Sequence, residues 1–154
     1  MHIWIDNDGC PRVVRDLVIR ASEQRQVPVT LVSASYYGSN HNPLVQYVRV
    51  GAGFDQADHH IAEHAGPGDL VITADIPLAD RIVKKGATGI SPRGEIFTPE
   101  NIADKLSMRN FMAEMRSSGE VRGGPAPMDG QHKKDFANAF DRILTKLIKQ
   151  SAPS

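Results

Sequence analysis

Met1-His2-Ile3-Trp4-Ile5-Asp6-Asn7-Asp8-Gly9-Cys10-Pro11 opens with a short apolar run and breaks it with two aspartates. The run is too short for a helix and lacks polar alternation, so it reads as a buried strand. Cys10-Pro11 then opens a helix, because proline suits the first helical position, where its missing N–H needs no partner. Val13, Val14, Leu17, Val18 and Ala21 form the apolar face of that helix. The same alternation of elements repeats downstream. Residues 27–32 form a second apolar strand, and residues 36–43 read as a loop. Residues 45–50 alternate as a third strand, and 54–65 read as a helix with Ala57, Ile61 and Ala65 on one side.

Asp69-Leu70-Val71-Ile72-Thr73 is the next strand, followed by a short helix over 76–85 and a last parallel strand over 87–90. Glu95-Ile96-Phe97 reads as a short extended piece. Thr98-Pro99-Glu100 begins another helix, with Thr98 as its cap. A further helix covers 107–116. Residues 119–130 are rich in glycine and proline and read as a mobile loop. The last helix covers 133–150, with Phe136, Phe140, Ile143, Leu144, Leu147 and Ile148 on one stripe, and residues 151–154 are expected to be a disordered tail. Strands alternating with helices predict an α/β fold, three layers with a mainly parallel sheet, in one domain over 1–150.

The chain has 154 residues, 18 basic and 18 acidic, and 40% are hydrophobic. Such a composition excludes wholesale disorder. No apolar run reaches the roughly 18 residues of a membrane span. With neither a span nor a signal peptide recognisable at the start, the expected location is the cytoplasm, with no membrane partner. One cysteine allows no internal disulfide and no Cys-based zinc site. The charge is divided along the chain. Residues 1–80 hold five basic and ten acidic side chains, and 81–154 hold 13 basic and eight acidic. That division fits an acidic site that binds metal beside a basic surface that holds a polyanion, as well as it fits compositional drift.

In sheets of this kind ligands bind beyond the carboxyl ends of the strands. Asp6 and Asp8 follow the first strand, and Asp75 follows Asp69–Thr73, so all three fall at one sheet edge. Asp55 and Asp58, three apart at a helix start, share a face. An aspartate after a strand is often only a helix cap. Several at one edge repel one another, and a hard divalent cation, Mg²⁺ or Mn²⁺, offsets that repulsion best while its waters can serve as nucleophiles. Asp80 is a candidate for the rim. Arg93 and Arg109 are the candidates for stabilising charge on a phosphate. Arg116, Arg122, Lys133 and Lys134, with Tyr36 and Tyr37, could line a groove for a strand. Cys10 reads as a packing residue. His60 and His64, at i, i+4, read as a solvated face rather than a metal pair.

Asp6-Asn7-Asp8-Gly9-Cys10-Pro11, Gly53-Phe54-Asp55-Gln56-Ala57-Asp58, Ile72-Thr73-Ala74-Asp75-Ile76-Pro77-Leu78-Ala79, Pro92-Arg93-Gly94-Glu95 and Ser107-Met108-Arg109 resemble the successive motifs of the YaiI/YqxD family of small bacterial proteins. That resemblance runs nearly end to end and implies a grouping with PIN-like nucleases. The narrower similarity to PIN domains rests on Asp6 after the first strand and on Thr73, Asp75 and Leu78. It implies acids that bind Mg²⁺ or Mn²⁺ and cut single-stranded RNA. Those nucleases usually place a helical Glu between these motifs, and Asp58 is the nearest match here. The resemblance supports a fold rather than an activity. The opening motif is also similar to that of haloacid-dehalogenase-like phosphatases, which would make Asp6 a nucleophile and Asp8 the acid/base. A module that binds nucleic acid or protein without catalysis is the third reading. The sequence says nothing of oligomeric state.

Overall fold

The computed structural model describes residues 1–34, 41–51, 53, 55–120 and 128–151. Tyr36, Tyr37 and Arg122, with most of the 119–130 segment and residues 152–154, lie outside the described residues. Among the described residues, β1 (Ile3–Asp6), α1 (Arg12–Arg25), β2 (Val29–Ser33), β3 (Val45–Arg49), α2 (Gln56–His64) and β4 (Leu70–Ile72) come first. They are followed by α3 (Ile76–Val83), β5 (Thr88–Ile90), β6 (Ile96–Phe97), α4 (Ile102–Ser117) and α5 (Gly130–Ser151). The strands make one sheet in the order β3-β2-β1-β4-β5-β6. Every pairing is parallel except β5 with β6.

The side-chain period of two divides each central strand between two cores. Ile3, Ile5, Val29, Leu31, Leu70 and Ile72 face the side covered by α1 and α5, where Val14, Val18, Phe136, Phe140 and Leu144 meet them. Trp4, Val32 and Val71 face the opposite side, against Ile61 of α2, Leu78 and Ile82 of α3 and Ile102 of α4. Both faces are therefore covered, which is why the strands read as continuous apolar runs. The result is the expected three-layer α/β/α fold.

Three expectations at the helices need correction. Thr98 does not cap α4. Residues 98–101 form a turn in which Asn101 Oδ1 accepts the Thr98 N–H at 2.9 Å and Asn101 Nδ2 donates to the Ile96 carbonyl at 2.8 Å. The helix starts only at Ile102 and runs unbroken to Ser117, with no separate helix at 107–116. No glycine or proline interrupts it. Pro11 is also the N-cap of α1 in extended conformation, one place before the first helical residue.

The strand order reverses between β1 and β4. From β1 the chain steps outward through β2 to β3; from β4 it steps the other way through β5 to β6. The loops after β1 and β4 diverge there and leave a crevice. No described helix is long and apolar enough to cross a membrane.

Candidate active site

The crevice receives Asp6 from the end of β1 and Asp75 from the start of α3. One hydroxyl ties the two segments together. Thr73 Oγ1 donates to Asp6 Oδ2 at 3.0 Å and accepts the Asp75 N–H at 2.9 Å. Asp75 Oδ1 in turn accepts the Leu78 N–H at 2.9 Å, capping α3. Asp75 thus carries both of the roles that the sequence allows: it caps the helix, and it stands in the acidic cluster. Asp58, in the first turn of α2, brings a third carboxyl close enough to share a hydrogen bond with Asp75.

The electrostatics follow from this crowding. Burial first, then the charge and hydrogen bond of Asp75, then the charges of Asp6 and Asp55, push the Asp58 carboxyl up to about 7. Burial raises Asp6 as well; the Thr73 hydroxyl works against that, and the charges of Asp75 and Asp8 add to it. Three acids that cannot all ionise cheaply in one crevice are a marker of a functional site.

Asp8 is placed differently. Its Oδ1 accepts from Ser33 Oγ at 2.6 Å and its Oδ2 from the Ala34 N–H at 2.7 Å, so it fastens the turn after β1 to the end of β2. Asp55 is exposed and left-handed at φ 61°, immediately before α2. It lines, with Asp58 and Asp75, a cleft of about 250 Å³ whose other walls include Pro77, Arg81 and Arg109. Arg109 lines the same cleft as these acids. Arg93 does not line that cleft. It lines a neighbouring cavity, with its Nη1 3.3 Å from His132 Nε2. Asp80 turns to Lys84 at 2.9 Å. Lys133, Lys134 and Arg116 are exposed.

Arg81 escaped the sequence reading. Its signal was helical spacing: it lies three and four residues beyond Leu78 and Pro77, on the α3 face that lines the cleft. Its Nη1 lies 3.2 Å from His59 Nδ1, so of the three clustered histidines His59 is the one joined to the cleft. His60 and His64 stack on each other at 4.1 Å beside Trp4. Burial pushes the Cys10 thiol up to about 12, which disfavours the thiolate.

Among the described residues no three acidic, histidine or cysteine side chains close around one point tightly enough to hold a metal ion as they lie.

The family described as uncharacterised BCR, YaiI/YqxD, matches residues 4–146. A UPF0178 protein of Geobacter sp. strain M21 is 53% identical over 153 residues, covering 99% of each chain. One from Citrifermentans bemidjiense is 53% identical over 150 residues, covering 97% of each. One from Saccharophagus degradans is 48% identical over 151 residues, covering 98% of this chain and all of its own. No solved structure matches.

Proposed function

The chain belongs to the YaiI/YqxD family, and since membership brings no activity with it, we propose from the geometry that it is a divalent-cation-dependent ribonuclease hydrolysing phosphodiester bonds of single-stranded RNA. The observation that carries this reading is the crowding of Asp6, Asp58 and Asp75 at the topological switch point, where Asp58 is pushed up to about 7. An acidic cluster that holds a proton at neutral pH is one that a cation can occupy by displacing it.

The donor set suits Mg²⁺ or Mn²⁺, since it offers only carboxylate oxygens from these three residues. When bound, such an ion would lower the pKa of water and offset charge on the phosphate. The chain's own side chains account for the rest. Thr73 holds Asp6 and Asp75 in fixed relation through one hydroxyl. Arg81 and Arg109 stand on the walls of the same cleft and can take the non-bridging oxygens of a phosphate. Asp8 serves as a brace for the turn that presents Asp6.

The test is Mn²⁺-dependent cutting of a labelled single-stranded oligoribonucleotide, with Mn²⁺ binding followed by calorimetry. Asp75→Asn and Asp58→Asn are each expected to lower the cutting rate by about a hundredfold or more, in keeping with loss of one electrostatic group. An intact strand after incubation with the wild-type chain, with no heat of Mn²⁺ binding, would overturn the proposal.

A further inference from the structure

We propose that the larger cavity beside the acids is a nucleobase subsite, which seats the base next to the phosphate that the acidic cleft addresses. The substrate class rests on the ribonuclease reading above; the cavity itself stands on separate observations.

Its volume is about 540 Å³, within the range of small-ligand sites. Its walls are mainly apolar, from Pro11, Ile76, Pro92 and the nearly buried Phe97, with Ser91, Arg93 and Glu95 as polar members. A flat aromatic base matches such a slot, and stacking of bases on apolar and aromatic surfaces tolerates any base. Position links it to the acids. Ala74 and Ile76 line this cavity, while Asp75, between them in the chain, lines the acidic cleft. Gly9, next to Asp8, forms another part of its wall. Consecutive residues of one segment thus face the two compartments, so a nucleotide can place its phosphate on one side and its base on the other.

The polar groups suit the same occupant. Ser91 is buried, and its Oγ accepts the N–H groups of Arg93 at 3.2 Å and Glu95 at 3.1 Å. Those bonds use its oxygen and leave its O–H proton to donate to an acceptor on a base edge. Arg93 lines the cavity with its guanidinium steadied by His132. Glu95 sends its carboxylate to Lys105 at 2.8 Å rather than to Arg93. Arg93 is a cation for a neighbouring phosphate of the strand, apart from the one that the acidic cleft addresses.

The experiment is fluorescence anisotropy of a labelled single-stranded oligoribonucleotide in EDTA, against the same strand carrying one abasic residue at each position in turn. The wild-type chain should bind the intact strand about tenfold or more tighter than one of the abasic strands. Gly9→Leu and Ala74→Leu fill the slot. A Cβ at Gly9 meets nothing within 4 Å, and Ala74 is exposed, so both residues fit. Each variant should weaken the intact strand by a similar factor and leave that abasic strand unchanged, with circular dichroism melts verifying the fold. Equal affinity for intact and abasic strands at every position, or filled variants that bind like wild type, would overturn the subsite. Cutting in Mn²⁺ without base dependence would sink the subsite alone. Base-dependent binding without cutting would sink the nuclease alone, and failure of any strand to bind in EDTA would overturn the subsite and leave the nuclease to the Mn²⁺ assay.

Discussion

Replacing Asp58 by asparagine should remove a pH dependence from the stability of the metal-free protein. An aspartate ordinarily ionises near 3.8, and this one is pushed up to about 7. In the unfolded chain the carboxyl loses its proton first, so the folded state binds more protons between those values. Its stabilising contribution is thus fully present below pH 3.8 and is lost as pH rises through 7. At 1.36 kcal/mol per pH unit, the undamped loss from pH 5 to pH 8 is about 3 kcal/mol. Asp58 is only half-buried, and solvent screening cuts this to about 1 kcal/mol. The asparagine keeps the shape of the side chain and carries no charge. Urea unfolding in EDTA, followed by the fluorescence of Trp4, the chain's one tryptophan, gives stability at both pH values. His2 and His60, both lowered chiefly by burial, act in the opposite sense, since their unfolded forms take up protons first. They are common to both proteins and cancel in the difference. The wild type should lose about 1 kcal/mol relative to Asp58→Asn between pH 5 and pH 8. Parallel pH profiles for the two proteins would refute the crowding argument.

Gly94→Ala should cost about 2 kcal/mol or more, because the residue sits at φ +92° and a Cβ there would lie 2.8 Å from the Asp135 carbonyl of α5; an unchanged urea midpoint would disprove it. Asp69→Ala should cost about 2–4 kcal/mol. It strands the His2 and Gly66 N–H groups and the Trp4 indole N–H, all of which donate to that carboxylate, and a thermal melt measures the loss. Cys10, with its thiol pushed up to about 12, should resist iodoacetamide at pH 8 in the native chain and react in urea, as mass spectrometry would show.

Strand identity was legible wherever apolar runs were continuous, since burial on both faces leaves no other reading for short stretches such as Ile3–Ile5 and Leu70–Ile72. The start of α4 was not. Thr98 and Pro99 have the chemistry of a helix start, but the Asn101 side chain satisfies the Thr98 N–H and makes a turn of those residues, a bond that residue type alone does not announce. At the site, the positions of Asp6 and Asp75 followed from strand ends. The sequence could not show that Asp8 is spent on Ser33 and Ala34, because that depends on β1 and β2 being neighbours in register, with Asp6 opposite Val32. The place of Arg93 was not legible for a related reason. Gly94 lets the turn after β5 lie against the backbone of α5, which carries Arg93 to His132 and away from the acids.

The Thr73 hydroxyl explains why a cluster that repels itself persists. Isolated carboxyls in a half-buried crevice would relax by rotating toward water. Here one oxygen of Asp6 is held by Thr73 and one of Asp75 by the start of α3, so neither can withdraw without stranding a donor. Asp58 comes from a different helix and bears the largest consequence, its carboxyl pushed up to about 7. The fold ties two of the acids down by hydrogen bonds and crowds Asp58 against them, a strain that a cation would relieve under the proposed reading. Sites where local rules are broken at a cost to stability are where function is expected, because a chain selected for stability alone would replace Asp58 with a neutral residue.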